Sequence, residues 1–167
     1  MTLHELNLLS KEQLKAALFN CCGSKNWVEK MLPFFPADDM VELINDAEDL
    51  WYDCDESDWL EAFTHHPKIG DVASLTKKFA DTAQWASGEQ SAVNTASQQT
   101  IEALAKGNAD YENKFGFIFI VCATGKSAEE MLQLLMERLP NSRDEEIQIA
   151  MDEQNKITQL RLQKLLV

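Results

Sequence analysis

Paired cysteines, long apolar runs and an excess of basic charge are all missing from this 167-residue chain, and each absence narrows its class. The thiols are Cys21, Cys22, Cys54 and Cys122, with no C-x-x-C pair among them. Adjacent Cys21 and Cys22 cannot easily bridge each other, and the spacing matches neither a disulfide framework nor a zinc knuckle. Reduced thiols in a cytoplasmic protein are the expectation. The longest apolar stretch, around residues 115–123, is far too short to span a bilayer. "MTLHELNLLSKEQ" has no basic stretch followed by an apolar run, so no signal peptide is expected, and "LLV" is not a peroxisomal address. Basic residues number 15 against 28 acidic ones, a formal net charge of -13. Such a surface repels nucleic acid and anionic membranes, which excludes both as expected partners. No repeat, low-complexity tract or linker breaks the chain, and residues 1–167 are expected to form a single domain.

What is abundant is helix signal. Ser10 and Gln13 form a capping box ahead of Leu14, Ala17, Leu18 and Cys21, and Gly23 is expected to close that helix. Trp27, Met31 and Leu32 predict a short helix ended by Pro33 and Pro36. Asp38 or Asp39 caps a third, with Met40, Leu43, Ile44, Ala47, Leu50 and Trp51 on one face. Ser57 is expected to start a fourth that runs into His65-His66-Pro67, and Asp71 to cap a fifth carrying Leu75 and Phe79. A second capping box, Ser87 and Gln90, opens a long helix expected to end near Gly107, with Asn108 capping a separate segment to about Phe115. Ser127 and Glu130 make a third box before a helix that Pro140 stops. The last helix covers about 143–165, with Ile147, Ala150, Met151, Ile157, Leu160 and Leu165 expected on its buried side. The reading is an all-α fold: one compact multi-helix domain. "FGFIFIVCATG" alone is aromatic and β-branched, and no other stretch offers it a strand partner. Residues from about 115 to 123 are therefore expected to be extended but unpaired, with backbone groups that need other partners.

Four features carry chemistry. Adjacent histidines point to different sides of a helix and rarely chelate one ion, and no H-E-x-x-H pattern exists. "DCDESDWLEAFT" starts like a calcium loop but has Asp58 where the glycine belongs and Thr64 where the glutamate belongs, so no metal is expected. Pro67 disfavours helix at His66 and rigidifies the exit, which can aim an imidazole whose ordinary pKa suits acid–base work. The plainer reading is a helix-terminal histidine on the helix dipole. In "SGEQ", capping explains Ser87 and Gln90, while Gly88 suggests close approach to a helix N-terminus beside the Glu89 carboxylate. Arg161, along the margin of the last helix, either snorkels at the surface or presents its planar fork to a carboxylate.

Taken together, "FTHHPKIGD", "SGEQSAV", "YENKFGFIFIVCATGKSAEEML" and "RLPNSRDEEIQIAMDEQNKITQLRLQKLL" occur in one order at fitting separations. That set resembles the 2-oxo-4-hydroxy-4-carboxy-5-ureidoimidazoline (OHCU) decarboxylases, the enzymes of the last step of urate breakdown, across essentially the whole chain. The resemblance implies an all-α homodimer that forms (S)-allantoin without metal or organic cofactor. It places the catalytic histidine at His66, with Pro67 lining the pocket, and the acidic partner at Glu89. Ala86, Ser87, Gly88 and Gln90 would hold the ureido and ring polar groups, and Arg161 would bind the substrate. Main-chain groups of Phe119, Ile120, Val121, Cys122 and Ala123 would form the extended pocket wall. Ile118 stands where the family usually has proline. The implied chemistry has Glu89 polarising the substrate hydroxyl and His66 acting as acid. A non-catalytic helical ligand-binding or adaptor module of the same fold is the alternative.

Overall fold

A computed structural model describes the backbone of residues 1–68, 70–80 and 90–167, and the side chains of 1–68, 70–79 and 98–167. Among the described residues there are nine α-helices, one 3-10 turn and no strand. They are α1 (Leu3–Asn7), α2 (Lys11–Cys21), α3 (Lys25–Met31), α4 (Met40–Tyr52), α5 (Glu56–Thr64), α6 (Val72–Ala80), α7 (Gln90–Phe115), α8 (Ala128–Arg138) and α9 (Arg143–Leu165), with the 3-10 turn at Leu32–Phe34. The expected all-α class is what the chain adopts. Two compact units are made: Met1–His66 with Ile120–Cys122 and Ile147–Val167, and Pro67–Phe119 with Ala123–Glu146.

Capping chemistry sets most boundaries. Thr2, Ser10, Asp55 and Ser127 each accept a bond from the backbone three residues on while that residue's side chain reaches back. Asp39 caps α4 and Asp71 caps α6 through Ser74. One expectation shifts here. α5 starts from Asp55 and not Ser57, because a carboxylate at the cap and Asp58 at the third position satisfy two orphan donors at once. The acids that mimic a calcium loop are thus helix caps. The box at Ser87 lies outside the described residues.

In the first unit the core is built on Leu18, Trp27, Met31, Leu43, Trp51, Phe63 and Leu162, all fully or nearly fully buried. Each indole is also satisfied: Trp27 Nε1 donates to Ala47 O at 2.9 Å and Trp51 Nε1 to Met151 O at 3.0 Å. The inner side of α9 follows the expectation in its first half and departs from it in the second. Ile147, Ala150 and Met151 are buried, but Gln154, Asn155 and Thr158 continue that stripe, while Ile157, Leu160 and Leu165 are half-buried. Polar side chains are admitted because the neighbouring helices supply partners: Glu48 accepts from Asn155 at 2.6 Å and also from Gln159.

The second unit corrects another expectation. α7 runs unbroken from Gln90 to Phe115 through Gly107 and Asn108. A Cβ at Gly107 would lie 2.5 Å from Leu135 Cδ2, so this glycine lets α7 and α8 approach closely and does not end a helix. Tyr111 and Glu146 are fully buried, and Arg138 nearly so. The Tyr111 hydroxyl and Arg138 Nε both donate to Glu146 Oε1 at 2.5 Å, and Asn141 donates to Oε2 at 3.1 Å. Burial pushes the Tyr111 hydroxyl far above its ordinary range, which keeps it a donor. Arg138 also lies over the Phe119 ring at 4.5 Å.

After α7, Gly116 turns the chain at φ +81, and residues 118–123 are neither helix nor strand; this stretch begins later than the expected 115, because Phe115 still belongs to α7. The Cys122 amide donates to Glu153 Oε1 at 3.3 Å, which gives one backbone group of that segment its partner.

Candidate active site

His65 and His66 leave α5 together and do different things. His65 is the C-cap residue, and its ring meets Phe19 edge-on at 4.7 Å. Gly23 lies against it so closely that a Cβ there would sit 2.6 Å from His65 Cβ. Its role is packing. The His66 ring is half-buried, with Nε2 against the Oε1 of Gln154. Gln154 in turn donates through Nε2 to Thr158 Oγ1 at 3.1 Å, and Thr158 bonds the Cys22 thiol. Gln154, Thr158 and Arg161 follow one another at helical spacing along α9, so one face of that helix carries the amide, the hydroxyl and the guanidinium.

Burial holds the His66 pKa below its ordinary value, with Arg161 and His65 lowering it further against the opposing bond to Gln154. A half-buried imidazolium beside a guanidinium is disfavoured, so at neutral pH the ring is neutral. Arg161 Nη1 donates to Cys21 O at 3.4 Å, which ties the guanidinium to the C-terminal end of α2. The thiols beside this group are not nucleophiles: burial pushes Cys21 up to about 11 and Cys22 up to about 12.

Of the site residues the sequence suggests, His66, Arg161, Ile120, Val121 and Cys122 belong to the first unit, and Pro67, Phe119 and Ala123 to the second. Phe119 has its ring engaged with Tyr111 at 5.2 Å and with Arg138. Ala86, Ser87, Gly88 and Glu89 lie outside the described residues, as does the side chain of Gln90 at the start of α7. Sequence reasoning missed Gln154 and Thr158. The signal was available: both extend the stripe of Ile147, Ala150 and Met151 at helical spacing, where polar residues need a purpose.

The chain thus sets on an all-helical scaffold an imidazole held at one nitrogen by Gln154 and within the electrostatic reach of Arg161, residue types suited to acid–base work and to binding an anion. A sequence profile of the OHCU decarboxylase family matches residues 7–163, and the chain belongs to that family. The uric acid degradation bifunctional protein TTL of Arabidopsis thaliana is 43% identical over 147 residues, which cover 87% of this chain and 45% of that protein. The chain thus spans less than half of that relative. The 2-oxo-4-hydroxy-4-carboxy-5-ureidoimidazoline decarboxylase of Halalkalicoccus jeotgali is 28% identical over 171 residues, covering 100% of this chain and 93% of that protein. A crystal structure of OHCU decarboxylase in the presence of (S)-allantoin superposes with a TM-score of 0.72 at 35% identity, over 95% of this chain and 99% of that one. An (S)-allantoin synthase structure has the same TM-score at 16% identity, covering 98% of this chain and 54% of that one, and shows a shared fold.

Proposed function

We propose that this chain decarboxylates OHCU to (S)-allantoin, the last step of urate degradation. The observation that carries the reading is the His66 ring: neutral, held by Gln154, and in the same unit as Arg161. The family membership and the relatives' printed activities support it.

The substrate holds its own electron sink. Breaking the bond between carbon 4 and its carboxylate leaves an electron pair that flows into the adjacent C=N bond. This gives an enol with its double bond between carbons 4 and 5, and the ring nitrogen takes a proton from solvent. Because His66 starts neutral, it first accepts the proton of the carbon 4 hydroxyl and then returns it to carbon 5. The hydroxyl becomes the ketone of allantoin, and atoms and charge balance. Delivery from one face sets the S configuration. Arg161 binds the anionic substrate with a planar fork suited to a carboxylate. Glu89 polarises the hydroxyl, with Ala86, Ser87, Gly88 and Gln90 on the ureido and ring polar groups. Pro67 and the main chain of Phe119, Ile120, Val121, Cys122 and Ala123 line the pocket.

The reaction proceeds without metal or organic cofactor, in a homodimer of single-domain chains in the cytoplasm. The four free thiols, Cys21, Cys22, Cys54 and Cys122, support a reducing compartment. A silent binding module of the same fold is not favoured, because His66, Glu89 and Arg161 are all present. The test is His66→Asn: the variant keeps its circular dichroism spectrum and loses about 10²–10⁴-fold in decarboxylation, the range for general acid–base groups. Near wild-type formation of optically pure allantoin by that variant would remove His66 from the chemistry.

A further inference from the structure

We infer that Gln154 is a positioning residue for His66: its side-chain oxygen keeps the ring proton on Nε2, and Nδ1 is thereby the nitrogen that exchanges protons with substrate. The tautomer stands on the geometry alone; its catalytic consequence rests on the decarboxylase reading.

An amide offers two different ends to a neighbour. Its oxygen only accepts and its nitrogen only donates. Gln154 Nε2 is engaged as a donor to Thr158 Oγ1 at 3.1 Å, which turns Oε1 toward the His66 ring. A ring nitrogen facing an acceptor has to carry the proton. Both Gln154 and Thr158 are buried, at 0% and 2% exposure, and the hydroxyl is itself bonded to the buried Cys22 thiol. The amide therefore sits in a chain of partners that runs from α9 to the end of α2, and a flip would need the Thr158 hydroxyl to turn its proton from the Cys22 thiol to the amide oxygen while the amide nitrogen faced the ring. Gln154 is also two helical turns before Arg161, so one rigid helix sets both the imidazole's proton and the guanidinium.

Neutral imidazole has one donor and one acceptor nitrogen, and which one meets substrate decides whether the ring can act as a base. With Nε2 committed to Gln154, Nδ1 has the lone pair that accepts the hydroxyl proton. The charged or titratable groups acting on the ring are Arg161 and His65, both of which disfavour the imidazolium. A neutral partner at position 154 preserves that state, whereas a carboxylate there would stabilise the cation.

The experiment is nitrogen-detected NMR of the histidine rings in the full chain, with kinetics on the same samples. Wild type above the His66 pKa is expected to show a protonated Nε2 and an unprotonated Nδ1. Gln154→Leu removes the acceptor: the tautomer signal becomes mixed, and kcat drops by about tenfold or more, as misplaced tautomers do in acid–base sites. KM stays within about twofold, because the loss falls on the transition state and not on binding. Gln154→Glu keeps an acceptor and the Nε2–H tautomer, and it moves the acidic limb of the rate profile upward by about one unit or more, as a neighbouring carboxylate does. A proton on Nδ1 in wild type, the signature of the flipped amide, overturns the inference without any variant. So does a Gln154→Leu protein that is folded and has unchanged tautomer and kcat. If wild type shows the Nε2–H tautomer but releases no carbon dioxide, the decarboxylase reading fails while the tautomer assignment stands.

Discussion

Gly23 offers a perturbation that reaches the site through packing alone. A Cβ at that position would lie 2.6 Å from His65 Cβ, and 2.8 Å from both Cγ and Cδ2 of the same ring. The closest of these atoms is attached to the backbone, so it cannot swing away as the tip of a long side chain could. Phe19, at 4.7 Å between ring centroids, closes another side of the imidazole. Gly23→Ala therefore has to displace α5 at its C-terminal end. Overpacking of this kind costs about 1–3 kcal/mol. Taking about 2 kcal/mol, a chain of this length should lose roughly 4–8 °C in melting temperature. His66 follows His65 directly, so its bond to Gln154 is disturbed at the same time. Decarboxylation should fall with kcat more affected than KM. Thermal unfolding by circular dichroism and steady-state kinetics read both effects. A His65→Gly change removes the obstructing Cβ, so the double variant should recover part of the loss, with a coupling energy above about 1 kcal/mol. An unchanged melting temperature and kcat in Gly23→Ala would refute the steric reasoning.

Arg161→Lys should raise KM by about tenfold or more with the fold intact, since a compact ammonium cannot replace a planar fork; an unchanged KM would take Arg161 out of substrate binding. The depressed His66 pKa gives stability a pH signature. The unfolded ring, near 6.5, binds protons before the folded one, so this contribution is complete above about pH 6.5 and is lost as pH falls to the folded pKa. His66→Asn should show a smaller drop in melting temperature between neutral and mildly acidic pH than wild type, and an equal drop would contradict the assignment. In the second unit, Glu146→Leu strips Arg138 and Tyr111 of a shared acceptor and should cost about 3–5 kcal/mol in urea unfolding. Tyr111→Phe leaves Arg138 on its carboxylate and should cost only about 1 kcal/mol.

The fold was legible wherever a boundary is written in local chemistry. Ser10, Asp39, Asp71 and Ser127 announce their helices, because a cap is a matter of three or four adjacent residues. Glycine was harder. Gly23 does follow the end of α2 as expected, whereas Gly107 sits inside α7, and each also meets a residue far along the chain, His65 or Leu135, that leaves no room for a Cβ. The second half of the buried side of α9 was misjudged for a related reason. Polar type argues for exposure, and only the presence of Glu48, His66 and Cys22 makes Asn155, Gln154 and Thr158 suitable for burial. The same holds for Tyr111, Arg138 and Glu146, which meet across separations no local pattern encodes. His66 and Arg161 were found because their order and spacing resemble a family. Gln154, which touches the ring, lay in plain view inside one of the quoted motifs.

The central claim is most directly tested by adding the wild-type chain to enzymatically fresh OHCU and following the circular dichroism of the product. The account predicts release of carbon dioxide well above the spontaneous rate, with a signal of one sign that reaches the amplitude of pure (S)-allantoin. Racemic product formed at the spontaneous rate would contradict it.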